Sequence, residues 1–292
     1  MTKSYINNFF FMLILLFAVI FAGCGKGDRG NKSLNTVTIK GSDTMVHLVS
    51  TWAEAFMTAN PEMQISVTGG GSGTGIAALL NGTTDLAASS RDIKPKEVEL
   101  GKGKGLDIFQ TPVALDGIAV VVNSSNPVSE LTLAQLKGIF TGKTTNWSEV
   151  GGSDGKIVIL SRESNSGTFV FFQEFVLEKQ DYAASSLLLP SSSSIIQEVS
   201  GGETAVGYVG LGFAAHAGES VKTLLVKKRD DSEPVIPSGA AVMDGSYPIA
   251  RPLYFFTDGE PTGAVKAFTE YILSEAGQRI VTEVGYVPIS GM

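Results

Sequence analysis

The sequence TVTIKGSDTMVHL, residues 36–48, predicts a short strand, a glycine-containing turn and the start of a helix. The strand is indicated by the strand-like run at 36–40, and the helix by the run after Thr44. The turn between them contains two hydroxyl side chains and one carboxylate. It therefore lies at the carboxyl end of a strand and the amino end of a helix, where unpaired backbone amides can bind an anion.

Two more segments have the same order of strand-like run, glycine- and hydroxyl-rich turn, and helix-like run. One is GGGSGTG at 69–75, after a run at 63–67, and the other is RESNSGT at 162–168, after a run at 156–160. Short strands that alternate with helices predict a parallel α/β sheet, which binds ligands at the carboxyl ends of its strands. Three such turns together predict a pocket for a small tetrahedral oxyanion.

Residues 162–168 carry the strongest of these signals. The planar guanidinium of Arg162 can bind two oxygens of an oxyanion. Hydroxyls and backbone amides can bind the other oxygens, and they come from Ser166, Gly167 and Thr168. The alternative is an ordinary helix N-cap, with Arg162 in a surface ion pair.

The glycines of residues 69–75 allow backbone amides to approach a ligand closely. A Walker A phosphate loop is excluded because no Gly-Lys-Ser/Thr follows at the required spacing. A dinucleotide-binding turn is disfavoured because no glycine follows Gly73 after two intervening residues. A plain flexible turn is the alternative here.

Asp43 places a carboxylate beside the expected anion. Hydrogen phosphate carries a proton that a carboxylate can accept, whereas sulfate carries none, so Asp43 would favour phosphate over sulfate. The alternative is that Asp43 caps the helix that follows. A fourth turn follows a run at 85–88, and in it Arg91 could bind the anion as a second clamp or pair with Asp92 or Asp43.

The N-terminus has the layout of an export signal, with Lys3 ahead of fourteen consecutive apolar residues at 9–22. This run is short for a bilayer span, which needs about 20 apolar residues. The small residues before Cys24 resemble a bacterial lipobox, in which the thiol is acylated. We expect residues 1–23 to be a lipoprotein signal peptide; an uncleaved anchor with an incidental cysteine is the alternative.

Residues 24–35 contain almost no apolar side chains and predict a flexible tether. The 292-residue chain has a formal net charge of -7, and the loss of Lys3 with residues 1–23 makes it -8. An acidic chain without a lysine or arginine run argues against nucleic acid as a partner. Because Cys24 is the chain's only cysteine, we expect no disulfide and no zinc site.

No catalytic arrangement is evident, and we expect no cofactor, no metal and no enzymatic activity. The two histidines, His47 and His216, lie far apart in the sequence, and Ser166 has no evident base. Helical spacing predicts that Trp52 and Phe56 pack in a core.

Strand-like runs at 115–122 and 249–256 are placed to connect two lobes. We expect residues 36–114 together with 252–292 to form one lobe, and residues 115–251 to form the other. The ligand cleft would lie between the lobes, which would close about the two crossings when the ligand binds.

Five motifs are similar, in this order, to those of the PstS-type phosphate-binding proteins of bacterial phosphate ABC importers. They are GSDTM at 41–45, GGSGTG at 70–75, AASSR at 87–91, the segment 131–152 with its IFTG and NWSEVGG, and RESNSGT at 162–168. Together with Gly207 and Tyr208 they span nearly the whole predicted mature chain. The resemblance implies an α/β, two-lobed periplasmic-binding-protein fold of class II type that closes on hydrogen phosphate.

By motif position the resemblance also implies the phosphate contacts. They would come from Ser42, Asp43, Thr44, Ser72, Ser90, Arg162, Ser166, Gly167 and Thr168, with Arg91 as a further candidate. Better-known members of the family have a carboxylate at the position of Ser90. Asp43 is therefore the candidate acceptor for the phosphate proton in this chain.

The partners that the resemblance implies are inorganic phosphate, the membrane permease of an ABC transporter and, through acylated Cys24, a lipid membrane. We expect a monomer outside the cytoplasmic membrane. Two alternatives stay open: the same fold binding sulfate, molybdate or tungstate, and, less favoured, a hydrolase of phosphate esters.

Overall fold

Strands and helices alternate along residues 35–289, the part of the chain that the computed structural model describes. The expected signal peptide, Cys24 and nearly all of the tether lie outside the described residues. Between residues 35 and 289, no helix has both the length and the apolar character needed to cross a membrane.

The bounds of the elements follow the expected alternation closely. The strands are β1 (Thr36–Gly41), β2 (Gln64–Thr68), β3 (Leu86–Ser89), β4 (Ile108–Asn123), β5 (Glu130–Thr132), β6 (Val158–Arg162), β7 (Leu187–Leu189), β8 (Ala205–Gly210), β9 (Val221–Thr223), β10 (Leu225–Lys227) and β11 (Ala250–Asp258). The helices are α1 (Val46–Ala59), α2 (Ser72–Leu80), α3 (Pro95–Gly103), α4 (Leu133–Phe140), α5 (Gly167–Phe175), α6 (Ser192–Gly201), α7 (Leu211–Ala214), α8 (Gly239–Met243), α9 (Gly263–Leu273) and α10 (Glu275–Glu283). Short 3-10 turns lie at Asp43–Met45 and Trp147–Val150.

The main sheet has the strand order β2-β1-β3-β11-β4-β8-β6-β7, and β9 also pairs with β4. The expectation of parallel strands is confirmed at both ends, because β1 is parallel to β2 and β3, and β6 is parallel to β7 and β8. It is wrong for the two central strands, since β11 is antiparallel to both β3 and β4. The sheet is therefore mixed, with parallel strands at its two ends and antiparallel strands in the middle.

Strand β4 is long enough to belong to both halves of this sheet. Its first part, from Ile108 to Gly117, pairs with β11, and its later part, from Ile118 to Val122, pairs with β8. The apolar core changes at the same point: Ala114 packs in one buried cluster and Ile118 in another. This single strand therefore connects the two apolar clusters.

The first cluster forms around α1. Trp52 and Phe56 lie inside it, as expected, and Nε1 of Trp52 donates to the carbonyl of Gly277 at 2.7 Å. The ring of Phe56 packs edge-on against Phe268 of α9, with 5.4 Å between centroids. The C-terminal helices α9 and α10 therefore pack on the N-terminal helix and close this part of the core.

Candidate anion-binding site

Three serine hydroxyls from three different turns meet in the interior. Ser42 follows β1, Ser72 begins α2 and Ser90 follows β3, and all three side chains are buried. Ser42 Oγ donates to Ser90 Oγ at 3.0 Å, and Ser72 Oγ lies 3.3 Å from Ser90 Oγ. The amide of Ser90 also donates to Ser72 Oγ at 3.0 Å. The structure thus brings together three of the residues that the sequence predicted for the site.

Gly167, the first residue of α5, lies directly against this serine group. A Cβ atom at Gly167 would stand 2.3 Å from Ser72 Oγ and 2.6 Å from Ser90 Oγ, so only glycine allows the approach. The turn before α5 is held to the turn before α2 as well, because the amide of Gly73 donates to the carbonyl of Asn165 at 2.9 Å. The N-terminus of α5 therefore faces the hydroxyls closely.

Two threonines add their hydroxyls to this cluster of serine hydroxyls. Thr44 Oγ1 and Thr168 Oγ1 are 2.9 Å apart, and both side chains are buried. Ser166 has a different position, since its Oγ accepts from the amides of Thr168 and Phe169. Ser166 is therefore the N-cap of α5, and a further role of its hydroxyl in anion binding stays a prediction.

Arg162 is buried at the end of β6 and cannot form a surface ion pair, so that alternative is wrong. Its Nη1 lies 3.1 Å from Asp43 Oδ2 and donates to Ser192 Oγ at 2.9 Å, while Nη2 donates to the carbonyl of Pro190 at 2.8 Å. Burial lowers the pKa of Arg162, and the Asp43 carboxylate partly opposes this effect. Among residues 35–289, the Nε of Arg162 is buried without a hydrogen-bond partner.

Asp43 binds the N-terminus of a distant helix. Its Oδ2 accepts from the amide of Ser192 at 2.9 Å and from Ser192 Oγ at 3.0 Å, and Ser192 is the first residue of α6. The alternative that Asp43 caps the helix following it is therefore wrong. The carboxylate instead links the turn after β1 to Arg162 and α6.

Arg91 pairs with neither Asp92 nor Asp43 through a carboxylate, so both of these alternative pairings are wrong. Its two Nη atoms donate to Glu97 at 2.9 and 2.7 Å, and Nη1 also donates to the backbone carbonyl of Asp92. Glu97 is placed for this by its capping bond to the amide of Lys94. Burial alone would raise the pKa of Glu97, but the bonds from Arg91 and Lys94 hold it below the ordinary value. A direct role of Arg91 in anion binding stays a prediction.

Sequence reasoning missed two residues of this site, Ser192 and Arg251. Ser192 belongs to a serine run in which Ser191 caps α6, and that run was the available signal. Arg251 is buried on β11 and donates to Thr168 Oγ1 at 3.0 Å and to the carbonyl of Ser90 at 2.8 Å. Its signal was a lone basic residue within an otherwise apolar run.

The two histidines, distant in sequence, are neighbours in the structure. The rings of His47 and His216 meet edge-on with 6.3 Å between centroids. They line a cavity of about 680 Å³ beside Asp43, together with Phe213 and Tyr286. Within residues 35–289, no group of three or more His, Cys, Asp or Glu side chains is placed to hold a metal ion.

This arrangement offers a small anion several buried donors and, in Arg162, a buried cation. Comparison with known proteins agrees with that chemistry. Residues 27–276 match a family model described as a PBP superfamily domain. The phosphate-binding protein PstS of Bacillus subtilis is 34% identical over 293 residues, which cover 96% of this chain and 93% of that protein. PstS of Pseudomonas aeruginosa is 32% identical over 85% of this chain and 81% of its own length.

Two solved structures match the fold over their full lengths. One is a phosphate ABC transporter substrate-binding protein with bound phosphate from Clostridium perfringens, with a TM-score of 0.80, 34% identity and 88% of this chain covered. The other is an ABC-type phosphate transport receptor from Vibrio cholerae, with a TM-score of 0.70, 30% identity and 87% of this chain covered. These matches confirm the α/β periplasmic-binding-protein fold, and the chain belongs to the PstS family of phosphate-binding proteins within the PBP superfamily.

Proposed function

We propose that this protein binds inorganic phosphate between its four turns and delivers it to the permease of an ABC importer. One observation carries the proposal: hydroxyls from separate turns converge in the interior, and Asp43, between Ser42 and Thr44, holds the buried cation of Arg162 beside them. Burying hydroxyls and a guanidinium costs free energy unless each polar atom is paired, so a cluster of them in the interior indicates a binding site.

The hydroxyls that now bond to one another can rotate to donate to an oxyanion. Bonds to a charged acceptor are stronger than bonds between neutral hydroxyls, so the exchange is favourable. The amide of Gly167 lies at the N-terminus of α5, where backbone donors favour an anion, whereas the amide of Thr168 donates to Ser166 Oγ. The unpaired Nε of Arg162 adds a further donor. The proposed contacts are Ser42, Asp43, Thr44, Ser72, Ser90, Arg162, Ser166, Gly167 and Thr168.

Selectivity for phosphate over sulfate rests on Asp43 in this proposal. Ser90 has a hydroxyl, which is a weaker proton acceptor than a carboxylate. Asp43 directs Oδ2 to Ser192 and Arg162. Its carboxylate can accept the proton of hydrogen phosphate, whereas a fully ionised sulfate would be repelled.

The ligand would be enclosed by two lobes with the expected boundaries, 36–114 with 252–292 and 115–251. The change of apolar cluster between Ala114 and Ile118, and again between Ile249 and Leu253, supports these boundaries. Val287, in the range assigned to the first lobe, packs in the cluster of Ile118, so residues near it would contact the cores of both proposed lobes. We expect a smaller radius of gyration in X-ray scattering with saturating phosphate; identical profiles would contradict hinge closure.

The protein would act as a monomer outside the cytoplasmic membrane, without catalysis, and would be held to a lipid membrane through acylated Cys24. The sequence before the only cysteine supports this anchor. Cells supplied with a labelled fatty acid should transfer label to the parent protein and none to the Cys24→Ser variant. Equal labelling of both proteins would show that the anchor lies elsewhere.

Calorimetric titration tests the central proposal. The mature chain, stripped of bound anion, should bind phosphate and give no heat with sulfate, molybdate or tungstate at neutral pH. Arg162→Ala should weaken phosphate binding by about tenfold or more, because a buried charged donor is lost. Arg229→Ala is the control, since Arg229 is exposed and, in the part of the chain that the structure describes, pairs with exposed Asp231. Binding that is unchanged in the Arg162 variant would remove this site from the proposal.

A further inference from the structure

Strands β4 and β11 carry a buried ion pair where they are directly opposite. Arg251 and Asp116 are cross-strand partners in the antiparallel ladder. Nη2 of Arg251 lies 2.9 Å from Oδ2 of Asp116, and Nε donates to the same oxygen at 3.2 Å. Oδ1 of Asp116 accepts from the amide of Leu211 at 3.0 Å. Both carboxylate oxygens are therefore engaged, and the guanidinium is held in one orientation.

The other donors of Arg251 reach two of the turns. Nη1 donates to the carbonyl of Ser90 at 2.8 Å, and Nη2 donates to Thr168 Oγ1 at 3.0 Å. The ring of Phe171 lies 5.6 Å from the guanidinium carbon and packs against its face. A single side chain thus connects the turn after β3 to the first turn of α5.

The hydrogen bond from Arg251 restricts the directions in which the Thr168 hydroxyl can donate its proton. A hydroxyl has one proton to donate and two lone pairs to accept with. Because Arg251 donates to Thr168 Oγ1, the hydroxyl proton must point elsewhere, and Thr44 Oγ1 lies 2.9 Å away. A proton directed in this way is available to an oxyanion, which needs donors.

We propose that Arg251 is a positioning residue of the phosphate site, which makes the Thr168 hydroxyl a donor and holds the Ser90 turn beside it. This inference rests on the proposed function. Arg251 acts through these two groups and does not itself touch the anion. Lysine cannot replace it, because one ammonium group lacks the planar fork that reaches Asp116, Ser90 and Thr168 together.

A double-mutant cycle, read as the dissociation constant for inorganic phosphate, separates this role from simple support of the fold. Arg251→Lys, Thr168→Val and the double variant are titrated in the mature chain. We expect Arg251→Lys to weaken binding by about tenfold to a hundredfold in the parent. In the Thr168→Val background, the same change should cost clearly less than in the parent, because one of the two groups through which Arg251 acts is already gone and only the Ser90 turn remains.

Equal losses in both backgrounds, or no loss in either, would overturn the inference. A parent protein that fails to bind phosphate would instead overturn the proposed function, so the two failures are distinguishable. Thermal melting shows whether each variant is folded. If Arg251→Lys does not fold, Arg251→Gln combined with Asp116→Asn leaves no unpaired buried charge and is judged by the same criterion.

Discussion

The carboxylate of Asp43 and the guanidinium of Arg162 form an ion pair, with 3.1 Å between Oδ2 and Nη1, and both side chains also bond to Ser192. The pair connects the turn after β1 to the end of β6. A carboxylate beside an expected anion is unfavourable unless a proton lies between them or a cation offsets its charge. Both conditions can be met at Asp43, because Arg162 is its neighbour and hydrogen phosphate brings a proton.

Asp43→Asn should therefore reduce the preference for phosphate over sulfate. The amide keeps the size of the carboxylate but can donate to a fully ionised anion. We expect phosphate affinity to fall by about tenfold and sulfate binding to become measurable by calorimetry. Asp231→Asn, at an exposed ion pair, is the matched control. Silent sulfate together with unchanged phosphate affinity would show that Asp43 does not set selectivity.

Gly167→Ala should block the site sterically. The added Cβ would lie 2.3 Å from Ser72 Oγ and 2.6 Å from Ser90 Oγ, so α5 must move away from the hydroxyls. We expect the affinity for phosphate to fall by at least about tenfold. Gly103→Ala is the control, because a Cβ there meets nothing within 4 Å and the position is helical. Normal phosphate affinity in the Gly167 variant would mean that this contact is not needed.

Glu97→Gln should destabilise the protein in a pH-dependent manner. Because the pKa of Glu97 is lowered in the folded state, the unfolded chain binds its proton more readily. The carboxylate's contribution to the free energy of unfolding is thus fully present above its ordinary pKa of 4.5. This contribution is lost as the pH falls through the lower pKa of the folded state. In urea unfolding, the free energy of unfolding of the variant should be lower than that of the parent by about 1 to 3 kcal/mol at pH 7, and this difference should decrease in acid.

The exposed ion pair of Glu275 with Arg279 gives the control for that measurement. Glu275→Gln should change the free energy of unfolding by less than about 0.5 kcal/mol at any pH. If the Glu97 variant lost the same free energy at every pH, the charge on Glu97 would not be the cause.

Tyr208→Phe should destabilise the protein and leave phosphate binding intact. The Tyr208 hydroxyl lies 2.6 Å from Ser161 Oγ and 2.8 Å from the Tyr182 hydroxyl, in a buried row beneath α5. Removing it takes one hydrogen-bond partner from each of these two hydroxyls. We expect the free energy of unfolding in urea to fall by about 1 to 3 kcal/mol. The partly exposed Tyr271 provides the control, Tyr271→Phe. A strong loss of phosphate affinity would instead place Tyr208 in the site.

Much of the local structure could be predicted because its causes are local. The strand-like run ending at Lys40 and the hydroxyl-rich turn after it indicated β1 and its loop, and the Ser-Gly-Thr sequence indicated the start of α5. Helical spacing placed Trp52 in the core. Each of these features depends on neighbours within a few residues, so the pattern is readable without the fold.

The partners of the charged groups could not be predicted in the same way. Arg91 bonds to Glu97, Asp43 reaches Ser192, and Arg251 meets Asp116 and Thr168. For Arg91, sequence alone offered Asp92 and Asp43, with nothing to choose between them, and it did not indicate Glu97. The choice depends on which strands are adjacent and on which side chains the core leaves facing each other.

The sequence by itself determined the family, the four turns and the kind of ligand, because hydroxyls, glycines and an arginine at strand ends are chemically suited to a small oxyanion. Only the tertiary structure decided how these groups are held. The antiparallel crossing of β4 and β11 places Arg251 opposite Asp116 and behind Thr168. A buried charge can be kept in only a few geometries, and those are set by long-range strand pairing that no local pattern contains.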